Sequence, residues 1–463
     1  MAKKLIEVPP TEFGFSSKNI DKIHDFLGQN QQYNELMSYF SKYQDVDKKG
    51  RYLYWDEFRW RVDKEDNPQM AWWSTKMMRL FKLKDIDLYD KEDNHFNFCI
   101  PDSLQAKLYK IVNFSRQGIV PHNSLKQNFL ISSLIMEEAI SSSQLEGASV
   151  TRRIAKDMLS HNRKPKSEDE HMILNNYLLM KEIKIVKNEE LTIDMMLSFH
   201  KIATQNTTEN GVIPGKFRED NEIFISSGRD GEVVHQPPCH TQIPARLAQI
   251  CIFANEQHDG ESGSVFIDPI VKAIILHFMI GYEHPFSDGN GRTARAIFYW
   301  YMLKNGFEYF EYISISKFLK DAPKKYGMSY LHSEIDDNDL TYFIYYQVEV
   351  ILRAVDELLG YLQAKSREFE EIATLLNGSK IGEKLNFVQK DMVKKALKTP
   401  GRIFTAKEIS VDYDVSANSA RKYLNELVKY KILISSKSGK TVVYIAHSGI
   451  KMVLLEDGQK DDK

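Results

Sequence analysis

The chain has 463 residues, 42% of them hydrophobic, with 62 Lys and Arg against 64 Asp and Glu and a formal net charge of −2. That length holds about three domains of ordinary size, and the near balance of charge excludes a global field that draws in nucleic acid, so any such contact has to be local. No run approaches the roughly 18 apolar residues of a membrane span, the first ten residues lack the apolar core of a signal peptide, and Cys99, Cys239 and Cys251 have no paired spacing, which argues against a disulfide framework and a zinc site. The expectation is a cytoplasmic protein with no membrane contact.

Taken in chain order, with no repeat at a fixed period, the pattern predicts a mainly α fold in three parts and a tail. Residues 1–115 form a helical, aromatic-rich element, with Tyr52, Trp55, Trp60, Trp72 and Trp73 read as core. Residues 116–370 form a mostly helical domain. Within it a helix from about 124 to 147 ends on Ser142 to Gly147, where a glutamate precedes a helix-ending glycine. An alternating run around Ile223 and Ile225, a Ser/Gly/Asp turn at 227–231 and a proline stop at Pro237 read as a β-hairpin, entered through Gly215 and Arg218. A hairpin of this kind serves packing as readily as binding.

The densest chemistry follows. Asp268 and Pro269 open a buried helix, and His284 stands where it runs out. A second helical run begins at Arg292 and is closed by Asn305 and Gly306, so that Gly289, Asn290 and Gly291 feed a helix N-terminus. The glycines turn successive N–H groups inward, the helix dipole adds positive potential, and Asn290 adds a donor, which makes a cradle for phosphate oxygens. Asp288 is a hard oxygen ligand suited to Mg²⁺ bridging two phosphates. Arg292 and Arg295, three apart on one helix face, are placed to grip phosphates as planar forks. His284, with an ordinary pKa of about 6.5, is left to take a proton from an attacking hydroxyl. Taken singly, each residue is consistent with a capped turn between two helices. No folding demand asks for all of them in this order. Phe286 reads as an apolar anchor of the loop, and His277 as a structural histidine.

Beyond a linker at 371–383, residues 384–450 pattern as a winged helix-turn-helix of α+β class. Helices start at Asn386, Thr405 and Ser416, and two short strands bracket a wing at 436–440. Asn418, Arg421, Lys422, Lys437 and Lys440 fall where a recognition helix and wing meet DNA. A protein-binding or dimerising winged helix fits the same pattern. Residues 451–463 read as a charged tail, disordered from Glu456 on.

From His284 to Arg295 the chain resembles the Fic family, whose signature His-x-Phe-x-Asp/Glu-Gly-Asn-Gly-Arg-x-x-Arg is matched without departure. The resemblance implies transfer of AMP from ATP to a hydroxyl side chain of a target protein or of the chain itself, with His284 as base, Asp288 on Mg²⁺, Gly289 to Gly291 as anion hole, and Arg292 and Arg295 on the distal phosphates. The Doc-like branch, which transfers phosphate, carries a lysine where this chain has Gly291. The segment from Gly215 and Arg218 to Ile223 and Ile225 is similar to the Fic flap, an edge that holds a target by strand addition. Ser142 and Glu146 fit the family's inhibitory motif, which implies that Glu146 pairs with Arg295 and restrains activity in cis. Tyr326 falls where related chains place an aromatic near the nucleotide base, and core packing explains it equally. Two other functions stay open: removal of AMP with Glu146 positioning a water, and a DNA-binding regulator in which the Fic fold senses a ligand. The sequence names neither the target nor its acceptor residue, and leaves a homodimer open.

Overall fold

A computed structural model describes residues 6–10, 33–116, 135–160, 163–207, 213–226, 231–261, 265–413, 415–438 and 441–458. The chain divides into two compact units, Met1–Leu358 and Leu359–Lys463. The first is mainly helical, as expected.

It starts with α1 (Tyr33–Lys42) and α2 (Pro68–Leu80), a hairpin of β1 (Lys84–Tyr89) and β2 (His95–Phe98), and α3 (Asp102–Arg116). Asn67 accepts from the N–H groups of Gln69 and Met70 and Pro68 follows it, so α2 begins with its orphan donors met. Tyr52, Trp55, Trp72 and Trp73 are buried, and only Trp60 of the expected stripe lies outside, at 76% exposure. Arg79 sits among them. Its guanidinium donates to the carbonyls of Asp45 and Leu53, both at 2.9 Å, and to the Tyr342 hydroxyl at 2.6 Å, and lies 3.6 Å from the Tyr52 ring centre. A buried cation is tolerated when every donor has such a partner. Lys76 meets Asp336 at 2.9 Å, and Asn97 exchanges main-chain bonds with Asn338 and Leu340. The aromatic element is thereby stitched to the corner that opens the longest helix.

The unit continues through α4 (Ile135–Leu145), α5 (Arg152–Ser160), α6 (Glu168–Ile185), α7 (Ile193–Thr204), a hairpin of β3 (Ile225–Ser226) and β4 (Val233–His235), α8 (Ile243–Asn255), α9 (Pro269–Glu283), α10 (Asn290–Lys304), α11 (Ile315–Asp321), α12 (Pro323–Ile335) and α13 (Thr341–Asn377). In α9 every residue but Pro269 and Gly281 is buried. Such a helix has no wet face and belongs at the centre. Its start is the expected cap, with Asp268 accepting from Ile270 N–H at 2.8 Å. The helix expected from about 124 is described only from Ile135, and most of the hairpin turn, 227–230, lies outside the described residues.

The second unit takes the end of α13, then α14 (Lys380–Lys384), α15 (Phe387–Lys398), β5 (Ile403–Phe404), α16 (Ala406–Asp412), α17 (Ala417–Lys429), β6 (Leu433–Ser438), β7 (Thr441–Ala446) and α18 (Ile450–Gly458). The caps fall on Asn386, Thr405 and Ser416, the first two as full capping boxes with Gln389 and Glu408. The antiparallel sheet has order β5-β7-β6, with Ile403 opposite Ile445 and Leu433 opposite Ala446. Met392, Phe404, Ile409, Leu424, Leu427 and Tyr444 fill its core.

Two expectations need correction here. The segment 371–383 is not an open linker: α13 runs to Asn377, Ser379 caps α14, and Leu376 is 2% exposed within the second core. Asn377 and Gly378 read as loop residues, but burial of Leu376 decides the matter. The stretch from 451 is not a free tail either, because Ile450 and Leu454 form an i, i+4 apolar stripe that buries α18 in the same core, while 459–463 lie outside the described residues.

Candidate active site

The site forms in the six residues between α9 and α10. His284 caps α9 in the left-handed region, at φ 44° and ψ 56°, a conformation that strains any residue with a Cβ. Arg218 holds it there. The Arg218 Nε donates to the His284 carbonyl at 2.9 Å, its main-chain N–H to the Pro285 carbonyl at 3.0 Å, and its remaining nitrogens to Asp220, Asn221 and Pro238. The His284 ring places Nδ1 3.2 Å from the Gly281 carbonyl. Facing a carbonyl, Nδ1 has to carry the hydrogen, which leaves Nε2 unprotonated in the neutral ring. Burial pushes the imidazole down to about 4, so it is a neutral proton acceptor at pH 7.

The loop is pinned from inside. Phe286 is fully buried, its ring stacked on His200 at 3.8 Å with an interplanar angle of 1°. The Asn290 side chain accepts from Phe286 N–H at 2.9 Å and donates to its carbonyl at 2.8 Å. Asn290 therefore shapes the loop, with its oxygen and one of its two amide hydrogens already bound to Phe286. Helix α10 accordingly begins at Asn290, two residues before the expected Arg292, with Gly289 as N-cap at φ 82°. A Cβ at Gly289 would lie 2.7 Å from Thr204 Cγ2, and one at Gly291 would collide with the Glu146 carboxylate. Gly289 demands glycine for its backbone angle and for the space beside Thr204, while a side chain at Gly291 would press on the end of the Glu146 side chain.

The two arginines differ in what they hold. Arg292 donates to the Ala203 carbonyl at 2.8 Å and to Asp288 Oδ2 at 2.7 Å. It docks the loop on the last turn of α7 and is committed before any phosphate arrives, a correction to its reading as a free fork. Arg295 donates to the Ser142 hydroxyl from Nε at 3.0 Å and Nη2 at 2.8 Å, and from Nη2 to Glu146 Oε1 at 2.8 Å. Glu146 is put there by the way α4 stops. Gly147, at φ 104°, donates to Gln144 and Ala148 to Ser143, the paired bonds of a Schellman ending, and Glu146 is the residue at its turn.

Sequence reasoning missed two residues. His200 on α7 is 0% exposed, accepts from Gly215 N–H at Nδ1 (3.0 Å) and donates from Nε2 to the Asp288 carbonyl at 3.0 Å. Glu138 lies two turns before Glu146 on α4, is buried, and accepts from the Ser314 hydroxyl at 2.8 Å and from Ser316 N–H at 3.2 Å, at the start of α11. Burial pushes its carboxyl up. Glu138, Ser142 and Glu146 stand at i, i+4 and i+8, the spacing of one helix face, but Glu137, Ser141, Ser143 and Gln144 make the rest of the helix polar too and hide the stripe. His200 offered no signal beyond a histidine among apolar neighbours.

The flap residues divide. Ile225 on β3 pairs with His235 on β4 and, with Phe224 and Val233, stays exposed, while Ile223 is half-buried. Gly215, at φ 77°, and Arg218, 3% exposed, belong to the loop's scaffold and present no edge to a target. Tyr326 is half-buried, with its hydroxyl 2.8 Å from His277 Nε2 and 3.4 Å from the Tyr330 hydroxyl. Those bonds spend the hydroxyl inward. His277 is fully buried and burial takes it to about 3, consistent with a structural role. In the second unit Asn418, Arg421 and Lys422 are exposed on one face of α17 and Lys437 is exposed on β6, while Lys440 lies outside the described residues.

Comparison with known proteins agrees with this geometry. Residues 190–302 match the Fic/DOC family. The chain is 30% identical over 152 residues to protein adenylyltransferase fic-1 of Caenorhabditis elegans, covering 33% of this chain and 26% of that protein, and 24% identical over 220 residues to protein adenylyltransferase Fic of Nematostella vectensis, covering 42% and 46%. It thus spans between a quarter and a half of these relatives' length. A crystal structure of a Fic family protein from Desulfovibrio desulfuricans aligns over 73% of this chain and 95% of its own, with a TM-score of 0.47 and 14% identity. The family match over residues 190–302, together with the complete motif from His284 to Arg295 at the N-terminus of α10, makes this segment a Fic domain.

Proposed function

We propose that the chain transfers AMP from ATP to a hydroxyl side chain of a protein, and that Glu146 restrains this activity in cis. The observation that carries the reading is a neutral His284 with Nε2 free, at the head of a glycine loop that opens α10. Phosphate oxygens on that loop meet main-chain N–H groups and the positive helix end. A target hydroxyl attacks the α-phosphorus, its proton passes to His284 Nε2, the bond from the α-phosphorus to the bridging oxygen breaks, and pyrophosphate departs. Similar proteins named as adenylyltransferases support the choice of ATP and of AMP as the group moved.

Asp288 fits a Mg²⁺ site. Its side chain is 40% exposed, and Arg292 grips one of its oxygens and fixes its direction. Mg²⁺ in nucleotide sites is held by one or two carboxylates together with substrate phosphates, and Asp288 would be the carboxylate here. When bound, Mg²⁺ neutralises phosphate charge. Arg295 is the fork for the outer phosphates. While it is paired with Glu146, whose carboxylate packs against Gly291, ATP lacks that partner and its α-phosphorus is not aligned. Incubation with ATP labelled in turn at the α and γ phosphates tests this. Protein-bound α-label supports AMP transfer, and γ-label overturns it.

For the second unit we infer a winged helix that contacts DNA through Asn418, Arg421, Lys422 and Lys437. The exposed polar face of α17 next to the β6–β7 hairpin supports it. Full-length protein should bind duplex DNA with an affinity that falls steeply with salt, and salt-independent binding, or none at low salt, would point to a protein partner.

A further inference from the structure

We propose that His200 is a positioning residue that aims the anion loop, through the single hydrogen it donates to the Asp288 carbonyl. The proposal rests on the function inferred above only for its catalytic readout.

The ring has no freedom. Met195, Met196, Phe199 and Ala203 around it on α7 are buried, and a polar ring in such surroundings needs both nitrogens paired. Gly215 N–H points at Nδ1, so Nδ1 accepts, and the Asp288 carbonyl lies at Nε2, so Nε2 carries the hydrogen. Only one neutral tautomer satisfies both. The same ring lies flat against Phe286, and a Cβ at Gly289 would lie 3.1 Å from its Cδ2. His200 therefore touches the loop at Phe286, Asp288 and Gly289, three of the four residues that lead into α10.

Planarity of the peptide turns this contact into direction. The carbonyl of Asp288 and the N–H of Gly289 belong to one trans peptide unit and point opposite ways. A donor on α7 that captures the carbonyl therefore aims the Gly289 N–H away from α7, as the first donor an arriving phosphate meets. Asn290, by contrast, fixes Phe286, and Arg292 fixes the Asp288 side chain. Neither sets the 288–289 peptide. On the far side the ring binds Gly215, three residues before Arg218, which holds the carbonyl of His284. One short segment thus braces both ends of the motif loop, and His200 is its link to the anion end.

Two substitutions separate the bonds. In His200→Gln the amide nitrogen reaches the place of Nε2 and keeps the donor to Asp288 while losing the acceptor for Gly215. In His200→Asn the side-chain oxygen takes the place of Nδ1, keeping Gly215 and losing Asp288. Both are made in full-length protein carrying Glu146→Gly, and ATP affinity is measured by calorimetry beside the transfer rate. The expected result is a split: His200→Asn weakens ATP about tenfold and slows transfer by about 10²-fold, while His200→Gln stays within about threefold of its parent in both. Equal ATP affinities for the two variants would overturn the proposal. A split in ATP affinity with no AMP transfer even in the parent would support His200 and overturn the proposed function instead. Nitrogen NMR of the histidine rings in unsubstituted protein gives a readout independent of folding of the variants. It should find His200 protonated at Nε2 and bare at Nδ1, and the opposite tautomer would overturn the proposal.

Discussion

Two helices hold the motif loop, and they hold it by different kinds of bond. On the α7 side, His200 and Arg292 bind main-chain carbonyls, of Asp288 and Ala203. On the α4 side, Ser142 and Glu146 bind the Arg295 guanidinium, with Glu146 23% exposed. A bond to a carbonyl inside the fold has no competitor, whereas a carboxylate on a guanidinium can be replaced by a phosphate, which makes the same charge-assisted contact. The α7 side is therefore scaffold and the α4 side is exchangeable. Arg292 and Arg295 look alike in the sequence, and only their partners separate them.

The largest effect expected is on the group between the two sides. In Glu146→Gly protein, His284→Ala should lower AMP transfer by about 10²- to 10⁴-fold with ATP affinity nearly unchanged, because the ring touches no anion-loop donor. A parallel loss of ATP binding, by calorimetry, would move His284 from the chemistry into the scaffold. The pH profile sharpens the same point. With His284 depressed to about 4, kcat/KM should stay flat from pH 8 down to about 5, where an ordinary histidine would already have lost most of its neutral form.

Exchangeability is tested next. Glu146→Gly should raise transfer by about 10²-fold, the order expected when a misaligned reacting centre is brought into line, and Arg295→Ala added to it should remove the gain. Breaking one side of a buried pair costs about 3 to 5 kcal/mol, so the free variant should melt lower than its parent. Mg-ATP should then raise its melting temperature more than the parent's, since the phosphate takes the vacated place. Equal rates at saturating ATP in parent and variant would end the idea of self-restraint.

Much of this was legible in the sequence because it rests on local chemistry. The caps at Asp268, Asn386, Thr405 and Ser416 and the glycines at 289 and 291 follow from residue type and spacing, whereas the pairing of Glu146 with Arg295, 149 positions apart, was expected only through the family resemblance. What stayed hidden depends on long-range partners. Arg218 and Gly215 read as flap residues, but the His284 carbonyl and His200, 66 and 15 positions away, give them scaffold roles. Leu376 and Leu454 looked like linker and tail residues until a shared core claimed them.

Behind Arg295 the comparison extends to His277, whose Nε2 meets the Tyr326 hydroxyl. Its pKa of about 3 arises first from burial and then from the charge of Arg295. The unfolded chain binds a proton there below about 6.5 and the folded one does not, so this contribution is complete above 6.5 and is lost as pH falls toward 3. Over pH 6.5 to 5 it should cost about 2 kcal/mol. Glu138 and Glu283, whose carboxyls burial pushes up, act in the opposite sense, so the measurement is a difference: His277→Gln should make the fall in denaturant stability over that range shallower than in the parent. An unchanged slope would mean that the ring is protonated within the fold.

The smallest effect tests how Glu146 is aimed. Gly147 sits at φ 104°, and no atom lies within 4 Å of where a Cβ would go. Gly147→Ala therefore meets no clash and pays only for backbone strain, about 1 to 2 kcal/mol. If that strain is relieved by unwinding the end of α4, Glu146 swings off Arg295 and part of its restraint goes with it. Stability should fall by about 1 kcal/mol while AMP transfer rises by a few fold, well short of Glu146→Gly. Ser142 and Glu138 still anchor α4 in this variant, which is why the release stays partial. A loss of stability with no rise in transfer would mean that Glu146 keeps its place without the glycine, and that Ser142 and Arg295 alone aim the carboxylate.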